Sequence, residues 1–445
     1  MAFSAATVDG LEGLLQWCIA PLERRIGSVA TARLWAVADQ GASGVANVLV
    51  FALFGRGLTP HDFGSIGMMM GLYYFIGGFH RSAIVLPFTT WHRTDADAID
   101  VHRDDSNWWW LGLGLALLVS AGTGIAALVV RLAGAYVPDV QWLVEPLYLT
   151  ALVTPALLAW EFARRWLYKI ERPQLVAACS GLYLVVLVAG ALLAGRYAPD
   201  SFAAAMVWVL ASIVALVVAL MRLVPMAFDR AAAALITREN KAHAAWLAAT
   251  NLPYSIYSTA SIVVWIGLFM GPLEAAVFTA ARTLTNPAIS VVSAIDSIDK
   301  PRAARALVRE GIPGLRRIVR NSRISIAVAT GLYLGGVAIL ATYLTHLAYG
   351  GQYTGLEEEV RWLALGFFLF SLNLPSETML IVLRAGPVML TVRCITAAIT
   401  LAALAFSARH GVAGMAGGFA ASQFINCLLL IGAERVALAR WSRSR

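Results

Sequence analysis

Twelve long apolar runs follow one another along this chain, and only short polar segments separate them. About 20 consecutive apolar residues are what a helix needs to cross the hydrocarbon core of a bilayer. A helix also satisfies its own backbone hydrogen bonds, as a medium without water requires. The sequence therefore predicts an all-α, polytopic integral membrane protein with about 12 transmembrane helices. The predicted spans are 34–55, 64–88, 108–131, 142–162, 173–194, 201–222, 246–270, 274–297, 323–347, 360–383, 387–408 and 411–434.

The amino-acid composition also indicates a membrane protein rather than a soluble domain. Of the 445 residues, 59% are hydrophobic and 13% are charged, whereas about a quarter of the residues of a soluble domain are charged. The sequence has no phosphate-binding glycine loop, no HExxH motif and no cysteines or histidines at metal-ligand spacing. We therefore expect no catalytic residue, no metal site and no cofactor.

The distribution of basic residues predicts the orientation in the membrane. If the N-terminus is cytoplasmic, 26 of the 34 Lys and Arg residues fall in inside segments, 5 fall outside and 3 lie within spans. Segments rich in Lys and Arg stay on the cytoplasmic side. The net charge of +8 is thus a topology signal, and we expect no nucleic-acid partner. Both termini and the 298–322 loop are expected to be cytoplasmic.

The two halves of the chain resemble each other at a constant offset of 212 residues. Asp39, Ser43, Gly55, Pro60 and Asp62 align with Asn251, Ser255, Gly267, Pro272 and Glu274. An even number of spans per half gives both halves the same orientation, so the repeats are parallel, related by a pseudo-two-fold axis along the membrane normal, with a cavity between them. The expected lobes are therefore 34–222 and 246–434, with six helices each, and a cytoplasmic linker at 223–245 joins them. A cytoplasmic N-terminal segment (1–33), expected to be an interfacial helix or a disordered tail, precedes the first lobe. A basic cytoplasmic tail (435–445) follows the second.

Polar and charged side chains inside the predicted spans mark the candidate site. Ionisable groups in a bilayer are costly and need a partner or a wet cavity. Arg282 lies eight residues beyond Glu274, which places it about 12 Å into its span, near the middle of the membrane. A guanidinium at that depth can form paired hydrogen bonds to a phosphate. The candidate substrate-binding residues are Asp39, Asn47, His80, Arg81, Asn251, Arg282 and Asn286, and Asp39 and Glu377 are candidates for ion coupling.

Each of these assignments has a structural alternative. Two predicted spans carry polar stripes, formed by Asp39, Ser43 and Asn47 in the first and by Asn251, Tyr254, Ser258, Ser261 and Trp265 in the seventh. These stripes could join helices to one another, because Ser and Thr hydrogen-bond across membrane helices. Arg81 could extend to the inner headgroups or pair with Asp39 at a similar depth, and Arg282 could pair with Glu377. Glu377 itself could cap the backbone freed by a nearby proline. A further charged group, formed by Glu161, Arg164 and Arg165, is expected to anchor its helix at the interface.

Two stretches carry a resemblance to a known family. Trp35-Ala-Val-Ala-Asp-Gln-Gly41 and Gly57-Leu-Thr-Pro-His-Asp-Phe-Gly64 resemble the opening of the polysaccharide-transport (Wzx-like) proteins of the MOP flippase superfamily. Trp160–Pro173 resembles the end of their fourth span. The resemblance implies two six-helix lobes that form a V and open alternately to either side. It also implies a cargo of lipid-linked oligosaccharide, carried on undecaprenyl pyrophosphate from the cytoplasmic to the outer leaflet.

The function expected from this resemblance is that of a flippase. It would move polyprenyl-pyrophosphate-linked oligosaccharide across the bacterial inner membrane for the synthesis of O-antigen, exopolysaccharide or capsule. Its expected partners are membrane lipids, a polysaccharide polymerase and export machinery, and it would not be an enzyme. The first alternative is a cation-coupled multidrug or metabolite antiporter of the same fold, which would favour an acidic cavity. The second is a membrane glycosyltransferase or polysaccharide polymerase, which would need a long outside loop.

Overall fold

A computed structural model describes residues 28–90, 97–134 and 136–443, and it is helical in these ranges, without β-strands. The expected helix at the N-terminus lies largely outside the described residues. The helices of the first half of the chain are α1 (Ser28–Gly57), α2 (Pro60–His80), α3 (Leu86–Thr90), α4 (Ala98–Ala133), α5 (Val144–Lys169), α6 (Pro173–Tyr197) and α7 (Ser201–Leu223). Those of the second half are α8 (Arg230–Tyr257), α9 (Thr259–Met270), α10 (Pro272–Thr285), α11 (Pro287–Ile339), α12 (Ala341–Tyr349), α13 (Glu357–Val382), α14 (Gly386–Ser407) and α15 (Gly411–Arg443).

The all-helical membrane fold predicted from the sequence is confirmed. In the part of the chain that the structure describes, seven helices are long and apolar enough to span a membrane, or eight if the bent pair α8–α9 counts as one. Helices α1 and α2 fall at predicted spans but are not counted among these helices. The expected number of 12 spans stays a prediction.

The chain divides into two compact units. The first contains the described residues up to Val50 and Leu72–Asn251, and the second contains Phe51–Gly71 and the described residues from Leu252 onwards. The boundary therefore cuts across α1 and α2, whose adjoining ends pack within the second unit. The expected boundary, in the linker at 223–245, falls inside the first unit.

Close packing of glycines joins Phe51–Gly71 to the rest of the second unit. A Cβ atom built on Gly64 would lie 1.9 Å from the carbonyl oxygen of Pro272. One turn further along α2, a Cβ on Gly67 would lie 2.1 Å from Oγ1 of Thr279. Small residues allow membrane helices to approach this closely, so the glycines of α2 set its distance from α10.

The seventh predicted span is broken rather than straight. Helices α8 and α9 meet at an angle of 58°. Pro253 lies inside α8 and provides no backbone N–H, and Ser258 caps the start of α9 by accepting a hydrogen bond from the backbone N–H of Ser261. The indole N–H of Trp265 donates to the carbonyl of Ile256, at 2.9 Å, beside the break. The polar stripe that the sequence predicts along this span therefore changes direction at Ser258.

The connection between the two halves of the sequence is mostly helical. Only Val224–Asp229 is irregular, because α8 begins at Arg230, and α15 continues to Arg443 through the expected C-terminal tail. The irregular segment lies on α4. Side chains of α4 bind three of its backbone groups: Trp110 donates to the Met226 carbonyl at 2.8 Å, while Ser106 and Asn107 each accept a backbone N–H at 3.0 Å.

Candidate functional site

Asp39 is the centre of a buried polar cluster in the first unit. Its side chain is fully buried, and one guanidinium nitrogen of Arg164 lies 2.7 Å from each of its two carboxylate oxygens. The hydroxyl of Tyr168 donates to the same carboxylate at 2.8 Å, and the hydroxyl of Ser180 donates to Oδ1. A buried carboxylate needs a cation and hydrogen-bond donors, and α5 and α6 supply them here. These contacts bind α1, α5 and α6 together.

Glu161 extends this cluster to the surface of the first unit. Its carboxylate lies 3.0 Å from Arg164, 3.0 Å from Arg165 and 3.3 Å from Arg81. Arg164 and Arg165 are three and four residues beyond Glu161 on α5, a spacing that places them on the same helix face. Arg81 opens a π-helical turn, Arg81–Val85, that follows α2. Such turns interrupt regular helices and are frequent at functional sites.

Two of the three arginines in the cluster are more exposed than its carboxylates. The side chains of Arg81 and Arg165 are 55% and 34% exposed, whereas those of Asp39 and Glu161 are 0% and 17% exposed. With Arg164, the cluster contains three arginines and two carboxylates, which leaves one net positive charge. An approaching ligand would therefore meet guanidinium groups first.

The pair expected between Asp39 and Arg81 is absent, because Asp39 binds Arg164 and Arg81 binds Glu161. Arg164, expected to anchor its helix at the interface, is the main partner of the buried Asp39, and its anchoring role stays a prediction. His80 is 3% exposed, and its Nε2 lies 3.1 Å from the carbonyl of Gly112 on α4. Asn47 is half-buried on α1.

A second buried ion pair lies in the second unit. Glu377, on α13, accepts a hydrogen bond of 2.9 Å from Arg393 on α14, and their side chains are 11% and 14% exposed. The guanidinium of Arg393 also lies over the ring of Tyr254, 5.0 Å from its centre. Tyr254 belongs to α8, four residues before the break at Ser258. Arg393 thus joins α13 and α14 to the bent region of the chain.

Arg282 is buried on α10, with 8% exposure, one turn beyond Thr279. Glu377, its alternative partner in the sequence analysis, pairs with Arg393 instead. Asn286 is half-buried after the end of α10, where its backbone N–H donates to the carbonyl of Arg282 at 2.9 Å. Asn251 is half-buried at the end of the first unit. The candidate residues are thus divided between the two units: Asp39, Asn47, His80, Arg81 and Asn251 belong to the first, and Arg282, Asn286 and Glu377 to the second.

We expect Arg393→Lys to destabilise the protein by about 1–2 kcal/mol. An ammonium group cannot bind Glu377 and also stack over Tyr254 in the way that a planar guanidinium does. Thermal unfolding of the purified variant measures the change. Arg435→Lys, at an exposed position on α15, is the matched control and should leave the stability within about 0.5 kcal/mol of wild type. Equal stability of both variants would contradict the role assigned to Arg393.

Solved structures provide the comparison with known proteins. A multidrug resistance MATE family transporter of the MOP superfamily, in an inward-facing conformation, matches with a TM-score of 0.68 and 13% identity over 90% of this chain and 95% of its own. The lipid II flippase MurJ, in an inward closed conformation, matches with a TM-score of 0.64 and 10% identity over 89% of this chain and 86% of its own. A MOP superfamily transporter from Pyrococcus furiosus, described as having a binding pocket of reverse polarity, matches with a TM-score of 0.62 and 14% identity over 94% and 96%. No protein-family model and no curated protein sequence matches the chain.

The chain therefore has the fold of the MOP superfamily transporters, a multi-pass membrane fold. The structures that share it include a multidrug transporter and a lipid flippase. A shared fold does not identify the cargo. Evidence on the cargo has to come from the charges of the candidate site rather than from the fold.

Proposed function

We propose that this protein is a flippase for polyprenyl-pyrophosphate-linked oligosaccharide. It moves this cargo across the bacterial inner membrane by alternating access, with both termini in the cytoplasm, and supplies the synthesis of a surface polysaccharide. The similarity of fold to a lipid II flippase supports a lipid-linked cargo. The Wzx-like motifs at 35–41 and 57–64 support the polysaccharide class. In this proposal a polymerase and export machinery take over the product, and the chain catalyses no covalent chemistry.

The observation that carries the proposal is the exposure of cations in the first unit. Arg81 and Arg165 are the accessible members of the Asp39 cluster, and both carboxylates lie behind them. Planar guanidinium groups bind phosphate oxygens through paired hydrogen bonds. A pyrophosphate can take over the place of Glu161 as the partner of Arg81, so cargo binding and the rearrangement of this network are coupled.

The second unit adds a further cation. Arg282 is buried, while Glu377 and Arg393 neutralise each other. Arg282 is thus a guanidinium group within the second unit, and a polyprenyl pyrophosphate is an anion that such a group can bind. Asn47, Asn251 and Asn286 are half-buried, and they provide amides that suit the hydroxyl groups of a glycan. The lipid tail remains in the bilayer.

A cation-coupled antiporter is the alternative, because Asp39 and Glu377 are carboxylates within the membrane segments. Both are bound to arginines, at 2.7 Å and 2.9 Å. A cationic drug would have to displace a guanidinium from either site, whereas an anionic cargo meets exposed guanidinium groups directly. The arrangement of charges therefore favours the flippase. The similarity of fold to solved transporters also supports transport over a glycosyltransferase or polymerase.

The test compares binding of undecaprenyl pyrophosphate, undecaprenol and ethidium to the purified protein. We expect undecaprenyl pyrophosphate to bind at least tenfold more tightly than undecaprenol, because hydrogen bonds to charged groups contribute about 1.5–3 kcal/mol. Arg282→Ala and Arg81→Gln should each weaken pyrophosphate binding by about tenfold or more, and Arg282→Lys should retain part of the affinity. Arg131→Gln, an exposed arginine at the end of α4, should bind like wild type.

Equal affinity for undecaprenyl pyrophosphate and undecaprenol would overturn the proposal. Ethidium binding that disappears in Asp39→Asn would favour the antiporter instead. Because Arg282 is buried, the Arg282→Ala protein is first compared with wild type by size-exclusion chromatography. Arg81 is 55% exposed, so its replacement keeps the test informative even if Arg282→Ala fails to fold.

A further inference from the structure

The most basic segment of the chain lies between the eighth and ninth predicted spans. From Lys300 to Arg323 it contains eight Lys and Arg residues and a single acid, Glu310. The proposed cargo site uses none of them. In the structure this segment belongs to α11, whose backbone leaves helical geometry at Gly311 (φ 68°, ψ −155°). Gly311 therefore divides the segment into two helical arms.

Both arms bury an apolar face. Ala303 on the first arm, and Leu315 and Val319 on the second, pack in one hydrophobic cluster with Leu380 of α13 and Ala433 of α15. Leu307, Ile312 and Ile318 pack against the same cluster. The arms are thus fixed on the second unit and form a structured surface rather than a loose loop.

The opposite face of the arms is a basic surface. It consists of the exposed residues Arg302, Arg305, Arg309, Arg316, Arg317 and Arg320. Arg317 pairs with Glu310 at 2.8 Å, and Arg302 lies 3.7 Å from Asp299. Among the described residues, Arg305, Arg309, Arg316 and Arg320 have no acidic side chain within 4.0 Å. Four guanidinium groups therefore remain available to an external anion.

The sequence of the second arm places Arg320 and Arg316 near the expected depth of lipid headgroups. The apolar part of the second arm begins directly after Arg323, which marks the edge of the hydrocarbon. At a helical rise of about 1.5 Å per residue, Arg320 lies about 5 Å beyond that edge and Arg316 about 10 Å. The headgroup layer extends about 5–8 Å beyond the hydrocarbon on each side, and a Debye length at physiological salt is about 8 Å. Val308, which is 87% exposed, adds an apolar contact between Arg305 and Arg309.

We propose that the basic surface of α11 is a docking site for anionic phospholipid headgroups. Arginines bind the phosphates of phosphatidylglycerol or cardiolipin, and the binding holds the two arms against the inner leaflet. Polybasic segments that directly adjoin a membrane span recognise anionic lipids in this way. None of these arginines belongs to the residues assigned to the cargo, so the proposal does not depend on the proposed function.

The experiment measures binding of a fluorescent, short-chain phosphatidylglycerol to the purified full chain in neutral detergent, with the matching phosphatidylcholine as reference. The test variant carries Arg305→Gln, Arg316→Gln and Arg320→Gln. A hydrogen bond to a charged group is worth about tenfold or more in affinity, so we expect at least a tenfold loss of phosphatidylglycerol binding. Salt at about 1 M, where the Debye length is about 3 Å, should abolish the preference of the wild-type protein.

A matched control removes the same charge from another exposed basic helix. Arg230→Gln, Arg238→Gln and Lys241→Gln lie on α8, and all three positions are exposed. We expect this control to bind phosphatidylglycerol within about threefold of wild type. An equal loss in the two triple variants would show that net charge, and not the basic surface of α11, determines binding, and would overturn the proposal. Wild-type protein that does not distinguish phosphatidylglycerol from phosphatidylcholine would also overturn it.

Discussion

Arg164→Met is expected to lower the free energy of unfolding by about 3–5 kcal/mol. Removal of one partner from a buried ion pair leaves an uncompensated charge, and such changes cost about that much. Asp39 would keep only neutral donors, among them Tyr168 and Ser180, within a site that excludes water. Thermal or denaturant unfolding of the purified protein measures the effect.

Two further variants make this prediction specific. Asp39→Asn should be less destabilising than Arg164→Met, because Arg164 retains Glu161 at 3.0 Å. The double variant should therefore be more stable than the sum of the single changes predicts. Arg165→Met removes a half-exposed arginine that pairs with Glu161 alone among the described acids, and it should cost about 1 kcal/mol or less. Strict additivity in the double variant would contradict the coupling of Asp39 to Arg164.

Gly64→Ala should have an effect of similar size, for a steric reason. The new methyl group would lie 1.9 Å from the carbonyl oxygen of Pro272, at the first residue of α10, and a backbone atom cannot rotate away. Overpacking costs about 1–3 kcal/mol and sometimes more, and we expect about 3 kcal/mol or above here. The yield and unfolding temperature of the purified variant provide the measurement.

Two other glycines provide comparisons for the effect of Gly64→Ala on stability. Gly67→Ala should cost less than Gly64→Ala, because its contact is with the side chain of Thr279, which can change rotamer. Gly114→Ala, on α4, places its methyl group where no atom lies within 4 Å. It should be neutral or stabilising by up to about 1 kcal/mol. A Gly64→Ala protein as stable as Gly114→Ala would refute the packing assigned to α2 and α10.

Helix bounds were well predicted where capping residues mark them. The predicted span at 201–222 corresponds to α7, Ser201–Leu223, whose start is fixed by the Asp200 side chain accepting the backbone N–H of Ala203. The predicted span at 173–194 begins at the proline that opens α6. The length of an apolar run and the identity of a capping residue are local properties, so both can be read directly from the sequence.

Pairing across helices was less predictable. A periodic stripe shows which face of a helix is polar, but it does not show which other helix faces it. Arg164 therefore looked like an interfacial anchor, although Glu161 three residues before it indicated an ion pair on α5. The sequence does not predict the bend at Ser258 for a similar reason. A serine that caps α9 resembles any other polar residue within an apolar run. Pro253 was the available signal.

The segment Val224–Asp229 has a practical consequence for protein engineering. Connections between repeated halves usually tolerate inserted sequence, but α4 holds this one through Ser106, Asn107 and Trp110. An epitope or fluorescent protein inserted here would have to detach the segment from α4. Gly350 and Gly351 suit that purpose better, since both have positive φ and no atom lies within 4 Å of their Cβ positions. The next two residues are less suitable, because Gln352 donates to the Leu58 carbonyl at 3.0 Å and Tyr353 is buried. Labels for single-molecule or topology work therefore belong beside these two glycines rather than in Val224–Asp229.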